Sequence, residues 1–356
     1  MSIDTVINSL SIPAEQKAAI HALAELVETA YPETIPTCFQ GTPAQQQQQL
    51  ITALAAHCDR GPIASLALSD GHHTLFDRVT PAMWQQFVTA RASSLPGSQT
   101  WVPKSGQPVL LLVPGGHLSR LYLRRQIALD AAKKAREAGG DVLGVVSLPG
   151  DRYCYTDEVK TVQESPGLYP DCHRKSASGA LTEYDISCES TPRFAKEINL
   201  TDGQIHCVNS PQYKVCYPPG HKVINRATTR DNAVALAEWL LNGPLKDKLS
   251  PETTIVLCIE APFHQRMANV FTTIFGALHA NPVMTMVTED DLSDEATLKR
   301  TQENSKASFA LVNQVYCIAR EYPELVEIQE NIRCSRSCLY ERLYAAPEQG
   351  LARKTP

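Results

Sequence analysis

Three short segments combine residue types that bind ligands or move protons. Pro114-Gly115-Gly116-His117-Leu118-Ser119-Arg120 comes directly after an apolar run. Its glycines let a backbone approach an anionic or planar ligand, and a helix start beyond them would offer unpaired N–H groups at a positive dipole end. A tight strand-to-helix turn needs the same glycines with no ligand at all. Asn225-Arg226-Ala227-Thr228-Thr229-Arg230-Asp231-Asn232 reads as the cap and first turn of a helix, with Thr228 or Thr229 at the N-cap. Capping accounts for the threonines and Asp231, but not for two arginines and a second amide packed so closely. Glu260-Ala261-Pro262-Phe263-His264-Gln265-Arg266 starts a helix after a buried strand and puts an imidazole and a guanidinium near the strand end.

Gathered at one place, these segments would form a pocket for a small-molecule ligand. The backbone of Gly115 and Gly116, with Arg120 and Arg226, would hold a negatively charged or ribose-bearing group. His264 would transfer a proton, Asp231 and Asn232 would orient it or the ligand, and His117 and Arg266 would add contacts. A cysteine nucleophile is a different route: Cys154 or Cys172, served by His117 or His264. Asp151, Asp157 and Glu158 can be read as acid-base groups or as solvated surface. Cys334 and Cys338 are spaced i, i+4 and Cys172 precedes His173, but no Cys-x-x-Cys pair has a matching partner, so no metal site is expected. G-x-G-x-x-G and G-x-x-x-x-G-K fingerprints are absent.

The elements that must position these residues are legible in part. VLLLV from Val109 is apolar on both faces, as buried parallel strands are. A helix over Leu118 to Ala138, stopped by Gly139-Gly140, and a second strand from Val142 to Ser147 complete a βαβ unit. Periodicity returns with a helix from Thr229 to Leu241, a strand from Thr254 to Glu260, a helix from Pro262 to His279 and a strand from Val283 to Val287. The expectation is an α/β fold with a mostly parallel sheet, flanking helices, and helical segments at both ends of the chain. Open parallel sheets bind ligands outside the carboxyl ends of their strands, where all three segments fall.

Residues 1–103 read as a helical region, with Ser11 as an N-cap, Pro13 in the first turn and Ile20, Leu23, Leu26 and Val27 on one stripe. Gln46 to Leu50 continues at helical spacing into Ile51 and Leu54, so the glutamine run is a solvated helix face, and a third helix is expected around Pro81 to Arg91. The α/β core covers 104–291 and contains an insertion at about 148–222. That insertion is rich in Pro, Gly, Ser, Tyr and Cys without sustained period, and reads as loops and short elements with some local fold. It could cap the pocket or contact a protein partner. Residues 292–356 are helical, with Leu325, Ile328, Ile332, Leu339 and Leu343 on one amphipathic segment.

The 356 residues carry 43% hydrophobic and 20% charged side chains, ordinary globular usage, and a net charge of -5 that gives no global reason to bind nucleic acid or an anionic membrane. Met1 to Ser9 lacks a basic segment before an apolar run, and no stretch reaches membrane-spanning length, so neither export signal nor membrane span is expected. Eleven scattered cysteines suit a reducing, cytoplasmic setting.

The order of motifs resembles the SanA/YdcF-like family of Rossmann-like α/β proteins over roughly residues 108–290. The matching features are the Gly-Gly turn, a second strand ending in Ser147 before Pro-Gly, Thr-x-Asp-Asn-Ala at 229–233 and Pro-Phe-His-Gln-Arg at 262–266. The resemblance assigns Gly115 and Gly116 to the first turn, Ser147 to the second, Thr229, Asp231 and Asn232 to the third, and His264 to the fourth. It departs at Asp231, where the family has Glu, at Val223 and Ile224, where an acidic residue is common, at Leu148-Pro149 and at the spacing of Arg266. What it implies is a pocket for a nucleotide-like or S-adenosylmethionine-like ligand, S-adenosylmethionine being the cofactor it suggests. Two functions follow: a hydrolase or transferase using a His/Asp/Arg pocket, or a non-enzymatic ligand-sensing or protein-interaction module.

Overall fold

The computed structural model describes residues 1–10, 12, 14–58, 75–94, 101–150, 152–210, 213–216, 222–225, 229–250, 252–260, 263–276, 283–287 and 311–321. Ser11, Pro13, Asp151, Arg226, Ala227, Thr228, Ala261, Pro262, His279, Leu325, Ile328, Ile332, Cys334, Cys338, Leu339 and Leu343 lie outside the described residues, as do the side chains of Asn225, His264 and Gln265.

The chain divides into two compact units. One is helical: α1 (Ile3–Ser9), α2 (Ala14–Ala30), α3 (Pro43–Cys58), α4 (Leu75–Arg78), α5 (Pro81–Ser94) and a helical stretch over 311–321. Ile20, Leu23 and Val27 of α2 are buried with Leu50 and Leu54 of α3, Phe87 of α5, and Leu311, Val315 and Tyr316. This is the apolar stripe expected of amphipathic helices sharing one core. Asn313 Nδ2 donates to the Cys58 carbonyl at 3.0 Å, so the 311–321 helix and α3 are also joined by a buried polar contact. Most of the glutamine run is exposed or half-buried, but Gln46 turns inward and donates to the Gly41 carbonyl at 2.9 Å.

The other unit is an α/β layer structure built on a five-stranded, all-parallel sheet. Its strands are β1 (Val109–Pro114), β2 (Val142–Leu148), β3 (Ile205–Cys207), β6 (Thr254–Cys258) and β7 (Val283–Val287), in the order β3-β2-β1-β6-β7. Every residue of β1 and β6 is buried, which explains their continuous apolar runs. The helix α6 (Leu118–Glu137) returns the chain from β1 to β2. It packs Ile127, Ala128, Ala131, Ala132 and Ala135 into the core that also holds Val109, Leu111 and Val113. It stops where Gly139 adopts φ +74° and its N–H reaches the Arg136 carbonyl at 2.8 Å, a left-handed cap that side chains with a Cβ resist.

Residues 148–222 hold more regular structure than their composition suggests. The helices α7 (Thr156–Glu164), α8 (Pro170–Ser176) and α9 (Glu183–Glu197) precede β3, and β4 (Tyr213–Cys216) and β5 (Lys222–Asn225) form a separate antiparallel pair. Because α9 packs on β3 and β2, the segment β2-α9-β3 is a second parallel crossover and extends the sheet itself. Pro192 inside α9 and a three-residue, half-buried β3 remove the periodic signals that would have announced them. The last pieces are α10 (Thr229–Asn242) and α11 (His264–Gly276), the latter within the Pro262–His279 span expected. Among the described residues no helix is long and apolar enough to cross a membrane.

Candidate functional site

In this strand order the connections out of β1 run one way, toward β2 and β3, and β6 and β7 lie on the other side of β1. The β1/β6 boundary is therefore the switch point where such sheets form a crevice at their carboxyl ends. The Gly115-Gly116 turn leaves β1 there, and Ile259-Glu260 leaves β6 beside it.

Two of the three sequence segments meet at one atom. The Leu148 carbonyl, at the end of β2, accepts from the Gly115 N–H at 2.8 Å and from Asn232 Nδ2 of α10 at 3.0 Å. Gly115 has a steric reason to be glycine. A Cβ there would stand 1.9 Å from Glu183 Oε1 and 2.7 Å from Pro149 Cα. Asn232 is buried, and while its amide nitrogen is used, its Oδ1 has no hydrogen-bond partner. The same is true of the buried hydroxyls of Ser147, at the end of β2, and Ser210, which bridges Gly150. An unsatisfied buried polar group costs roughly 1–3 kcal/mol, so three of them around one stretch of backbone are conspicuous.

A ring of buried charge backs this corner. Arg124 of α6 holds Glu260 with two bonds, Nε to Oε2 at 2.5 Å and Nη2 to Oε1 at 3.0 Å, and donates to the carbonyls of Pro114 and Gly115. Arg120, one turn earlier and 38% exposed, brings Nη1 to 3.8 Å from the same carboxylate. Arg152 grips Glu158 bidentately at 2.6 and 2.8 Å and donates to the Gly116 carbonyl at 3.0 Å. Its Nε lies 2.5 Å from Glu183 Oε2, close enough for an ion pair although the N–H is not aligned for a hydrogen bond. Glu183 Oε1 in turn accepts from the Gly150 N–H at 3.2 Å. Burial opposes charge on Arg152, but the Glu158 bonds and the Glu183 charge outweigh it and raise its pKa. For Glu158, burial acts upward and the Arg152 bonds prevail, so its pKa is lowered.

This arrangement fills the positions where an anion would otherwise bind. The Gly115 N–H is taken by Leu148, and the Leu118 N–H, in the first turn of α6, donates to Glu158 Oε1 at 2.8 Å. Arg120, Arg124 and Arg152 face Glu158, Glu183 and Glu260, so the formal charges cancel. At the rim, His117 places Nε2 2.8 Å from Asp157 Oδ2 and Nδ1 2.9 Å from Ser119 Oγ. Asp157 is itself lowered, burial acting upward and the His117 hydrogen bond overcoming it.

The remaining expected residues lie as follows. Thr229 and Asp231 are buried in the first turn of α10, with Asp231 Oδ1 3.7 Å from Arg230 Nε. Arg266 forms a two-bond pair with Glu321, Nε to Oε2 at 2.8 Å, and residues 263–266 group with the helical unit. Cys154 and Cys172 have pKa values raised chiefly by burial, which works against the thiolate a nucleophile needs. Sequence reasoning missed Arg124, Arg152, Glu183 and Ser210, and left Glu158 between acid-base group and solvated surface. The four-residue step from Arg120 to Arg124, which puts both on one helix face, was the available signal for Arg124. No family model matches this chain, and no curated protein matches it either.

Proposed function

We propose that this chain binds a small molecule, nucleotide-like or S-adenosylmethionine-like, at the carboxyl ends of β1 and β2, beside the first turn of α10. The observation that supports this reading is the set of buried, unpartnered Ser147 Oγ, Ser210 Oγ and Asn232 Oδ1 around the doubly bonded Leu148 carbonyl. Asn232 Oδ1 is an acceptor, so it calls for an N–H or O–H from the ligand, such as a ribose hydroxyl or an amine. The charge balance of the arginine ring favours a ligand that presents such donors here over one that presents a phosphate. Thiols among the described residues that form no disulfide, such as Cys154 and Cys172, support a cytoplasmic setting.

A thermal-shift series with S-adenosylmethionine, adenosine and adenine nucleotides tests the reading. A ligand at about 100 times its Kd should stabilise the chain by roughly 2.7 kcal/mol. Asn232→Leu, which keeps the volume and removes the acceptor, should abolish that shift while Arg266→Lys leaves it in place. A shift that survives Asn232→Leu and Ser147→Ala together, or no shift with any of these ligands, overturns it.

A further inference from the structure

A hydroxyl, an imidazole and a carboxylate stand in one hydrogen-bonded row at the rim, and the binding reading leaves them unused. His117 Nδ1 lies 2.9 Å from Ser119 Oγ, and His117 Nε2 lies 2.8 Å from Asp157 Oδ2. His117 caps α6, Ser119 belongs to its first turn, and Asp157 comes from the first turn of α7, 40 residues further on. The main chain fixes which ring nitrogen carries the hydrogen. Nδ1 accepts from the Ser119 N–H at 3.4 Å as the helix cap, and an ionised carboxylate only accepts, so the hydrogen sits on Nε2 and is donated to Asp157. Nδ1 therefore turns a lone pair toward Ser119, and the hydroxyl is the donor in that contact.

Helix capping accounts for only part of this. It requires that Nδ1 accept the Ser119 N–H, but it calls for neither a hydroxyl on the same nitrogen nor a carboxylate from another helix behind the ring. The ring is also held from the side, where Tyr155 stacks on it with centroids 6.1 Å apart and planes at 24°. Unlike the buried Ser147 and Ser210, Ser119 is exposed, and the His117 side chain is 32% exposed. A reactant can reach both.

We infer that Ser119 is a nucleophile, with His117 as its general base and Asp157 orienting that base, in an acyl-transfer site that hydrolyses small activated esters. The two ring nitrogens are exchanged relative to the serine-protease order. The chemistry is the same, because either nitrogen can hold the lone pair while the other binds the carboxylate. Ser119 Oγ attacks the ester carbonyl carbon as its proton passes to His117 Nδ1, and Asp157 stabilises the imidazolium. The tetrahedral adduct collapses, the bond to the alcohol oxygen breaks, and that oxygen takes the proton from Nδ1, leaving an acyl-Ser119. Water then attacks the acyl carbon and gives a proton to Nδ1; the bond to Oγ breaks, Oγ recovers the proton, and the acid departs. One ester and one water become one acid and one alcohol. Negative charge on the adduct develops at the N-terminal end of the 20-residue α6, where the Gly116 N–H donates to no group among the described residues. The activity does not depend on a ligand at the Leu148 corner.

The test gives the full chain p-nitrophenyl acetate, follows nitrophenolate release, and separately maps the site of a fluorophosphonate probe by peptide mass spectrometry. The expected result is steady release, with the probe on Ser119. Ser119→Ala should lose both, and Asp157→Asn, which keeps the size and removes the charge, should slow labelling of Ser119 by about 100-fold. Circular dichroism of both variants separates a folding defect from a chemical one. A wild type that carries the probe only on other residues, or releases nitrophenolate no faster than folded Ser119→Ala, overturns the inference, as does a folded Asp157→Asn labelled as fast as the wild type.

Discussion

At Gly115 a single added carbon decides whether the chain can leave β1 where it does. Its Cβ would meet Glu183 Oε1, the Pro149 backbone and the Leu148 carbonyl at 1.9, 2.7 and 2.9 Å, and two of those three are main chain that cannot swing away. At Gly116 the nearest atom would be Arg124 Nη1 at 3.3 Å, the far end of a side chain. Gly115→Ala should therefore destabilise by about 1–3 kcal/mol through overpacking, with a clearly smaller loss for Gly116→Ala. Urea midpoints of the two variants check the order, and equal losses would refute the close-packing account of Gly115. The same comparison bears on how a Gly-Gly pair should be read. Here the first glycine serves the approach of β1 to β2, and its carbonyl serves Arg124.

At the scale of elements, β1, α6 and β2 are legible in the sequence because each is long, periodic and ended by a glycine or proline. The crossover α9-β3 is not legible for definite reasons. Pro192 has no N–H for the Cys188 carbonyl one turn back, and Ser190 and Thr191 bend their hydroxyls to the backbone at Ile186 and Ser187, so the helix lacks the composition of a good one. Its start is nevertheless well made. Thr182 Oγ1 accepts from the Asp185 N–H at 3.2 Å, and Asp185 Oδ2 accepts from the Thr182 N–H at 2.9 Å. Glu183, the first helical residue, reaches Gly150 from this capped turn, so the cap also positions one carboxylate of the charged ring. Thr182→Ala should cost about 1 kcal/mol and speed amide exchange in the first turn of α9 more than in α6. Uniform exchange in both helices would mean that the cap holds nothing in place. Of the candidate corner, the turn residues Gly115 and Asn232 are readable from local spacing. The pairing of Arg124 with Glu260 is not, since a contact 136 residues apart leaves no trace in any window of sequence.

For the molecule as a whole, the internal carboxylates set how folding responds to acid. Burial acts upward on Glu158, Asp157 and Asp185, and in each case a stronger interaction lowers the pKa: the Arg152 bonds at Glu158, the His117 bond at Asp157, the Lys175 and Thr182 bonds at Asp185. A carboxylate whose folded value lies below its unfolded value releases its proton more readily in the folded state. Between the two values the unfolded chain binds more protons, so stability rises with pH there and is lost as pH falls through the folded value. The window opens near the ordinary carboxylate range of about 3.9–4.3 and extends downward. Glu158 is the least exposed of the three, and it is joined to Arg152, Tyr155 and Leu118 by four hydrogen bonds. Its protonation would leave Arg152 with only Glu183 as a carboxylate partner in a buried setting, where breaking one member of an ion pair costs about 3–5 kcal/mol. Urea midpoints should stay flat from pH 7 to about 5 and drop steeply below about 4, and Glu158→Gln should be less stable at pH 7 and show a shallower drop. If the variant and the wild type fell in parallel, proton uptake at Glu158 would not be what couples the sheet's carboxyl edge to the stability of the fold.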